Sequence, residues 1–452
     1  MEPTFQQDAQ HWPKWKLYGF RFVFLVLLLF IIPLDWKFYQ ELFSIDWAAA
    51  PFYDLLTLTK YQPQFFAPAR PWGQYLEFVS FWNWLIVALI ALVGAAIWSV
   101  ADKQRQSYPQ LYYWSRVLVR YRLALGLIAY GIYKAFQLQL PYPPLSNLLT
   151  NYGDFYSWKI YYQTTGISPK YETFLGVVEI LAGVLLLYRR TVTFGAGLII
   201  GFMGNIVAVN FYYGLGEQSY SLLLVLFAVY LFAQDVPRLY QLLVSEKLAV
   251  AGKVIGPVFR GNLKRLKVAT QALTLIFIVF LGVKAYGGRQ PAAYKLPRTP
   301  GLSEAAGRYL VTEYIVNGDT IPYSKSHPSR WQEVIFEEWA TLSVKSNRPV
   351  IIDKSNGEGY YEDDIDRNYE LAGIAGRHFY HYDQDTVNHR LLLQNKNSHH
   401  RDEVFTLDYQ RPADSIITLS GRISPTDSVH ITLQRMDKKY LMNEGRRRPV
   451  KI

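Results

Sequence analysis

The chain has 452 residues, half of them hydrophobic and 16% aromatic, with 47 Lys and Arg against 36 Asp and Glu. There is no cysteine, which excludes disulfides, thiolate metal sites and iron–sulfur ligation. The basic excess lies in the first 286 residues, beside long apolar runs, so it reads as membrane-flanking charge and not as nucleic-acid binding.

Mean hydropathy is near zero because an apolar part and a polar part average out. Residues 1–286 are expected to form a transmembrane helical domain. Leu17–Leu34 reads as a first span, a start-transfer anchor with no cleavage site after it. Residues 35–77 are rich in Trp, Tyr and Pro and suit one or two short helices lying at the interface. Six further runs have spanning length or close to it: Phe78–Val100, Tyr121–Leu138, Glu172–Tyr188, Thr193–Tyr213, Tyr220–Ala233 and Val268–Tyr286. Seven spans put the basic segments 1–16, 101–122, 189–190 and 235–267 on one side, the cytoplasmic one. The aromatic loops 35–77 and 139–171, and everything after the last span, then fall on the periplasmic side of a bacterial inner membrane.

Residues 287–304 read as a Gly/Pro linker. From residue 305 to 452 the pattern turns to strands: GRYLVTEYIVNGD, WQEVIFEEWATLSVKS, PVIID, RLLLQNK, EVFTLDY, DSIITLSGRI and DSVHITLQRMD. In the last, Val429, Ile431 and Leu433 alternate with polar residues. The fold class expected is an α-helical membrane bundle plus a C-terminal all-β barrel or sandwich.

The third, fourth and fifth spans carry polar residues that lipid tolerates poorly. Arg122, Gly126, Tyr130 and Lys134 stand four apart, on one helix face. Glu172, Gly176, Glu179 and Gly183 share a face of the next span, and Gly197, Gly201 and Asn205 share one on the third. Small residues at such positions let helices approach closely. We expect a Lys134–Glu179 ion pair, capped by Asn205 and Asn210, in the outer half of the membrane. A cluster that pins helices together and a ligand or proton site both fit that pattern. No span contains a His, so axial haem ligation by His within the membrane is excluded. No cofactor is evident from the residues, and neither G-x-S-x-G, Walker A nor H-E-x-x-H occurs.

In the β-rich part, His378, His381, Asp383, Asp385 and His389 lie within HFYHYDQDTVNH. That run is a weak metal candidate and reads more simply as a polar hairpin. EDDIDR, Glu362 to Arg367, reads as a solvated turn.

Residues 116–240 resemble the DoxX-like four-helix membrane family. The resemblance is carried by RYRLALGLIAYGIYK, by F-x-G-x-x-E-i-x-x-G-x-L-L-L over Phe174–Leu187, and by the closing LFAQDVPRL. It implies a four-helix core and a quinone or membrane-redox connection, because family members include subunits associated with a thiosulfate:quinone oxidoreductase. Long relatives follow the span with a D-V-P-V-K-like turn, where this chain has YYGLGEQSYS. The expectation is a non-enzymatic membrane component that presents its β-domain to an envelope protein partner. Alternatives are a quinone- or redox-linked subunit and a small-molecule or lipid carrier.

Overall fold

The computed structural model describes residues 11–65, 76–248, 261–288, 295–355, 357, 359, 361–437 and 440. The tail EGRRRPVKI lies outside them. The chain divides into two compact units. One comprises residues 1–140 and 168–291; the other comprises 141–167 and 292–452.

The first unit is helical, with α1 (Lys14–Ile31), α2 (Trp36–Ser44), α3 (Phe52–Thr59), α4 (Leu76–Ala101) and α5 (Pro109–Ala135). After the excursion into the second unit it resumes with α8 (Pro169–Leu187), α9 (Val192–Tyr213), α10 (Gln218–Phe232), α11 (Val236–Leu243) and α12 (Asn262–Gly287). Each of the seven expected spans falls on a helix. Among the described residues, four stretches are long and apolar enough to cross a membrane: Lys14–Ser44, Phe81–Ala101, Val192–Tyr213 and Lys264–Gly287. A fifth arises if α10 and α11, bent by 68° at their junction, count as one span. The helices α5 and α8 fall outside this class because of their charges. Arg116, Arg120, Arg122 and Lys134 sit on α5, and Lys170, Glu172 and Glu179 on α8.

Glycines set how α5 and α8 pack. A Cβ on Gly131 would lie 2.7 Å from the Gly176 carbonyl oxygen, and one on Gly183 would lie 2.6 Å from Ile128. A Cβ on Gly176 would overlap the backbone of Gly131 and Ala135. The two backbones are therefore in direct contact, as small residues permit. The expected third face behaves differently: a Cβ on Gly201 would meet nothing, and Gly197 faces only Phe232. Helix α9 instead meets α8 through Gly195, against Leu185 and Ala182.

The second unit contains an eight-stranded antiparallel β-barrel. Its strands are β1 (Gly307–Val316), β3 (Glu333–Phe336), β4 (Thr341–Lys345), β5 (Arg377–Asp385), β6 (Arg390–Asn395), β7 (Val404–Ala413), β8 (Ile416–Arg422) and β9 (Ser428–Arg435). Each pairs with the next, and β9 returns to β1 to close the ring. The two-residue strand β2 (Asp319–Thr320) folds back on β1. Asn317 and Gly318 make that turn with φ of +53° and +92°, the left-handed geometry a tight hairpin requires. Strand alternation fills the interior with Tyr309, Phe336, Tyr380, Tyr382, Leu407, Ile431 and Leu433. The expected alternation in β9 holds: Val429, Ile431 and Leu433 are buried.

Three boundaries differ from those read in the sequence. The PVIID run forms no strand, while HFYHYDQD is a full strand, β5. Residues 295–304 are no free linker, because Lys295, Leu296 and Leu302 are buried. There Gly301 N donates to Glu338 O, Ala340 N to Thr299 O, and Leu302 N to the Tyr382 hydroxyl. Third, residues 141–167, expected within the helical domain of residues 1–286, belong to the barrel unit. They form α6 (Leu145–Leu148) and α7 (Ser157–Gly166). Strands β3 and β4 are buried on both faces as a result. Phe155 packs with Leu371, Ile374 and Phe379 of the barrel unit.

Candidate functional site

In the helical unit the polar residues expected on one face of α5 do form one cluster. The ammonium of Lys134 pairs with the Glu179 carboxylate, and both side chains are buried. Glu179 Oε2 has no hydrogen-bond partner among the described residues. The ring of Tyr130, one turn back, lies between two ammoniums: Lys134 Nζ is 5.7 Å from its centroid and Lys60 Nζ 4.6 Å. Tyr130 stacks on Tyr220 at 5.5 Å, and the Tyr220 hydroxyl donates to Thr59 O at 3.2 Å. Lys60 pairs with Glu217 at 2.8 Å. Arg122, at the other end of the face, donates to Tyr61 O at 2.8 Å, with its guanidinium 5.9 Å from the Tyr220 ring. A Cβ at Gly126 would lie 2.6 Å from the Tyr220 hydroxyl, so the absent side chain is what admits that tyrosine.

Two expected members fall elsewhere. Asn210 donates to Ser221 Oγ at 2.8 Å and to Glu217 O at 3.2 Å, tying α9 to the start of α10. Asn205 is exposed. Neither caps the Lys134–Glu179 pair. Glu172 is fully buried for another reason: its Oε1 accepts from the backbone N–H of Gln139 and Leu140, just past the end of α5.

The sequence reading missed Lys60, Tyr61, Glu217 and Tyr220. They come from α3, from the turn after it, and from the α9–α10 junction. α3 buries Phe52, Leu55, Leu56 and Thr59, and so presents Lys60 to the site. The apolar spacing of FYDLLTLT was the available signal.

In the barrel unit, His378 and His381 occupy opposite faces of β5, so they do not converge with Asp383 on one ion. His378 Nδ1 lies 3.0 Å from Arg348 Nη2. Burial, then the Arg348 charge, lower its pKa to about 4. His381 Nε2 is 3.6 Å from Asp383 Oδ1. Among the described residues no group of three metal-ligating side chains gathers. EDDIDR is also more than a solvated turn: Asp364 accepts from the N–H of Arg298 and Thr299, and Arg367 is buried, donating to Leu296 O.

A second buried polar cluster, not anticipated, lies where residues 141–167 meet the barrel. Glu370 accepts from Lys396 at 2.8 Å, Thr341 Oγ1 at 2.9 Å and Trp339 Nε1 at 2.6 Å. Glu337 accepts from the N–H of Leu145 at 3.0 Å and of Ser146 at 2.8 Å. Burial, then the nearby Glu370 carboxylate, raise the Glu337 pKa to about 7. Lys159 is fully buried, donates to Tyr369 O, and lies 3.6 Å over the Tyr369 ring. Its pKa falls well below the usual lysine range through burial first and the neighbouring Lys295 second. Gly373, at φ +70°, gives room to the Trp158 ring, 2.6 Å from where a Cβ would stand.

The chain thus joins a unit with helices apolar and long enough to cross a membrane to a unit built on an antiparallel β-barrel. No family model matches the chain. It is 32% identical over 114 residues to the uncharacterized protein YwoB of Bacillus subtilis (strain 168), a match covering 25% of this chain and 71% of that protein. The chain belongs to the same family as that protein. No solved structure matches it.

Proposed function

We propose that this is a DoxX-like integral protein of a bacterial inner membrane whose helical unit anchors a periplasmic β-barrel domain, and that the barrel domain binds a protein partner in the envelope. The observation that carries this reading is the discontinuity of the barrel unit. Residues 141–167 leave the helical unit after α5, enter the barrel unit, and return at α8. Chain continuity then requires the segments leaving α5 and α12 to emerge on one face of the membrane. Seven crossings satisfy this, because four proposed spans, α8, α9, α10 and α12, an even number, intervene between residue 167 and the barrel. The side that lacks the basic segments is the periplasmic one.

The chain lacks cysteine, so single cysteines report on sides directly. Tyr152 and Val387, 75% and 85% exposed, are suitable positions. Y152C and V387C are expected to react equally with a membrane-impermeant maleimide applied from the periplasmic side. Labelling of one alone, or of either only after lysis, overturns the proposed topology. For the partner, photo-crosslinkers at Leu392 and Val404 on the outer face of the barrel are expected to capture one and the same protein.

The alternative is a small-molecule, quinone or proton site in the helical unit, and the orphan Glu179 Oε2 is what favours it. A stoichiometric lipophile that co-purifies with the wild type and is lost in E179Q would move the function to this reading.

A further inference from the structure

Glu337 is one of the few ionisable groups that fasten residues 141–148 to the barrel, and nothing in the proposed binding role uses it. It stands in the turn between β3 and β4, with one carboxylate oxygen on the N–H of Leu145 and the other on that of Ser146. Its side chain is buried. The fastened segment begins with Pro141, Pro143 and Pro144, so its backbone has few donors of its own with which to hold on. A second carboxylate, Glu370, sits close by, held by Lys396, Thr341 and Trp339, and through Asn147 the same segment also reaches Glu370 O at 2.9 Å. The other charged or titratable groups around Glu337 are Arg377 and Tyr382 on β5, and Tyr440. Lys159 of α7 faces Glu370.

We propose that Glu337 is an acid-sensitive latch, which takes up a proton to hold residues 141–148 more firmly against the barrel. The step is simple proton binding: carboxylate plus proton gives the neutral acid, with one oxygen still accepting from the segment and the repulsion from Glu370 removed. Released, Glu337 is solvated and titrates as an ordinary carboxylate. Held, it keeps its proton up to about pH 7. Acid therefore favours the held state, and that gain is lost as pH rises through about 7. Because both partners lie within the barrel unit, this inference stands or falls independently of which membrane face that unit occupies.

The test is amide hydrogen exchange on the full chain in lipid nanodiscs, with rates corrected for intrinsic pH dependence. The opening constant for peptides covering residues 141–150 is expected to fall roughly tenfold between about pH 8 and about pH 5.5. Peptides from β8 and β9 serve as the internal control and are expected to stay protected throughout. E337Q, neutral and with one accepting oxygen like the protonated acid, is expected to stay held at about pH 8 and to lose the pH dependence. A flat wild-type profile, or a pH dependence that survives in E337Q, overturns the latch. If E337Q also exposes β8 and β9, E370Q is read instead. With the like charge gone, its midpoint is expected below that of the wild type, and an unmoved midpoint overturns the proposal.

Discussion

Lys134 and Glu179 are the residues on which the helical unit's chemistry turns. Both are buried, so removing one partner leaves the other charge uncompensated, at a cost of about 3–5 kcal/mol. K134A and E179A are therefore each expected to lower the melting temperature of the purified protein in detergent. The double variant is expected to lose less than the two losses added together, because it leaves neither charge alone. Wild-type behaviour in all three would mean that the pair carries no energy. The pair itself was legible, since residues four apart on α5 and three or four apart on α8 must share a face. What that face meets was not. Periodicity ranks the residues of one helix around its own axis, but carries no information about Lys60 or Glu217, which arrive from distant turns. Asn205 shows the same limit from the other side: it was assigned to a face correctly placed along α9, and that face is exposed. The buried lysine Lys159 lay in an aromatic loop with no periodic pattern, where only tertiary contacts decide burial.

Among elements, the α5–α8 contact is the tightest constraint. G176A would place a methyl group into the backbone of Gly131 and Ala135, where no flexible side-chain end can yield. Overpacking of that kind costs about 1–3 kcal/mol. G201A, with open space around it, is the matched control and is expected to be neutral within about 0.5 kcal/mol in the same melting assay. Small residues at helical spacing were visible on all three helices, yet on α9 the expected positions Gly197 and Gly201 meet no backbone, and the close approach falls at Gly195 instead. Strand alternation proved the more dependable pattern, because a half-buried strand must alternate. The strand reading covered β1, then β3 and β4 as one run, and β6 to β9, although β3 and β4 are buried on both faces and do not alternate. It passed over β5, whose outward residues Arg377, Phe379 and His381 are covered along with its inward ones, so the alternation of exposed and buried side chains is blurred. PVIID has strand composition but forms no strand among the described residues.

For the whole molecule, the division into helical and β-rich parts followed from the change of composition near residue 287. The discontinuity did not, because reading a chain in order assigns each stretch to its sequence neighbours. The loop 139–171 was aromatic and nearly uncharged, and that composition suits burial against protein as well as residence at a lipid interface. The expected consequence is measurable. A fragment of residues 292–452 would expose Phe379 and the carboxylate of Glu337, and is expected to aggregate or melt without cooperativity. Fusing residues 141–167 to it through a flexible linker is expected to restore a soluble, cooperatively melting domain. Equal behaviour of the two fragments in scanning calorimetry would show that the segment is dispensable.

The pairing of β1 with β9 sets a timetable for biogenesis. The ring cannot shut until Ser428–Arg435 has left the ribosome. Residues 141–167 are delivered long before that, with Trp158, Lys159 and the amides of Leu145 and Ser146 waiting for partners not yet translated. A chaperone or a protease is therefore expected to meet this stretch before the barrel that receives it has formed.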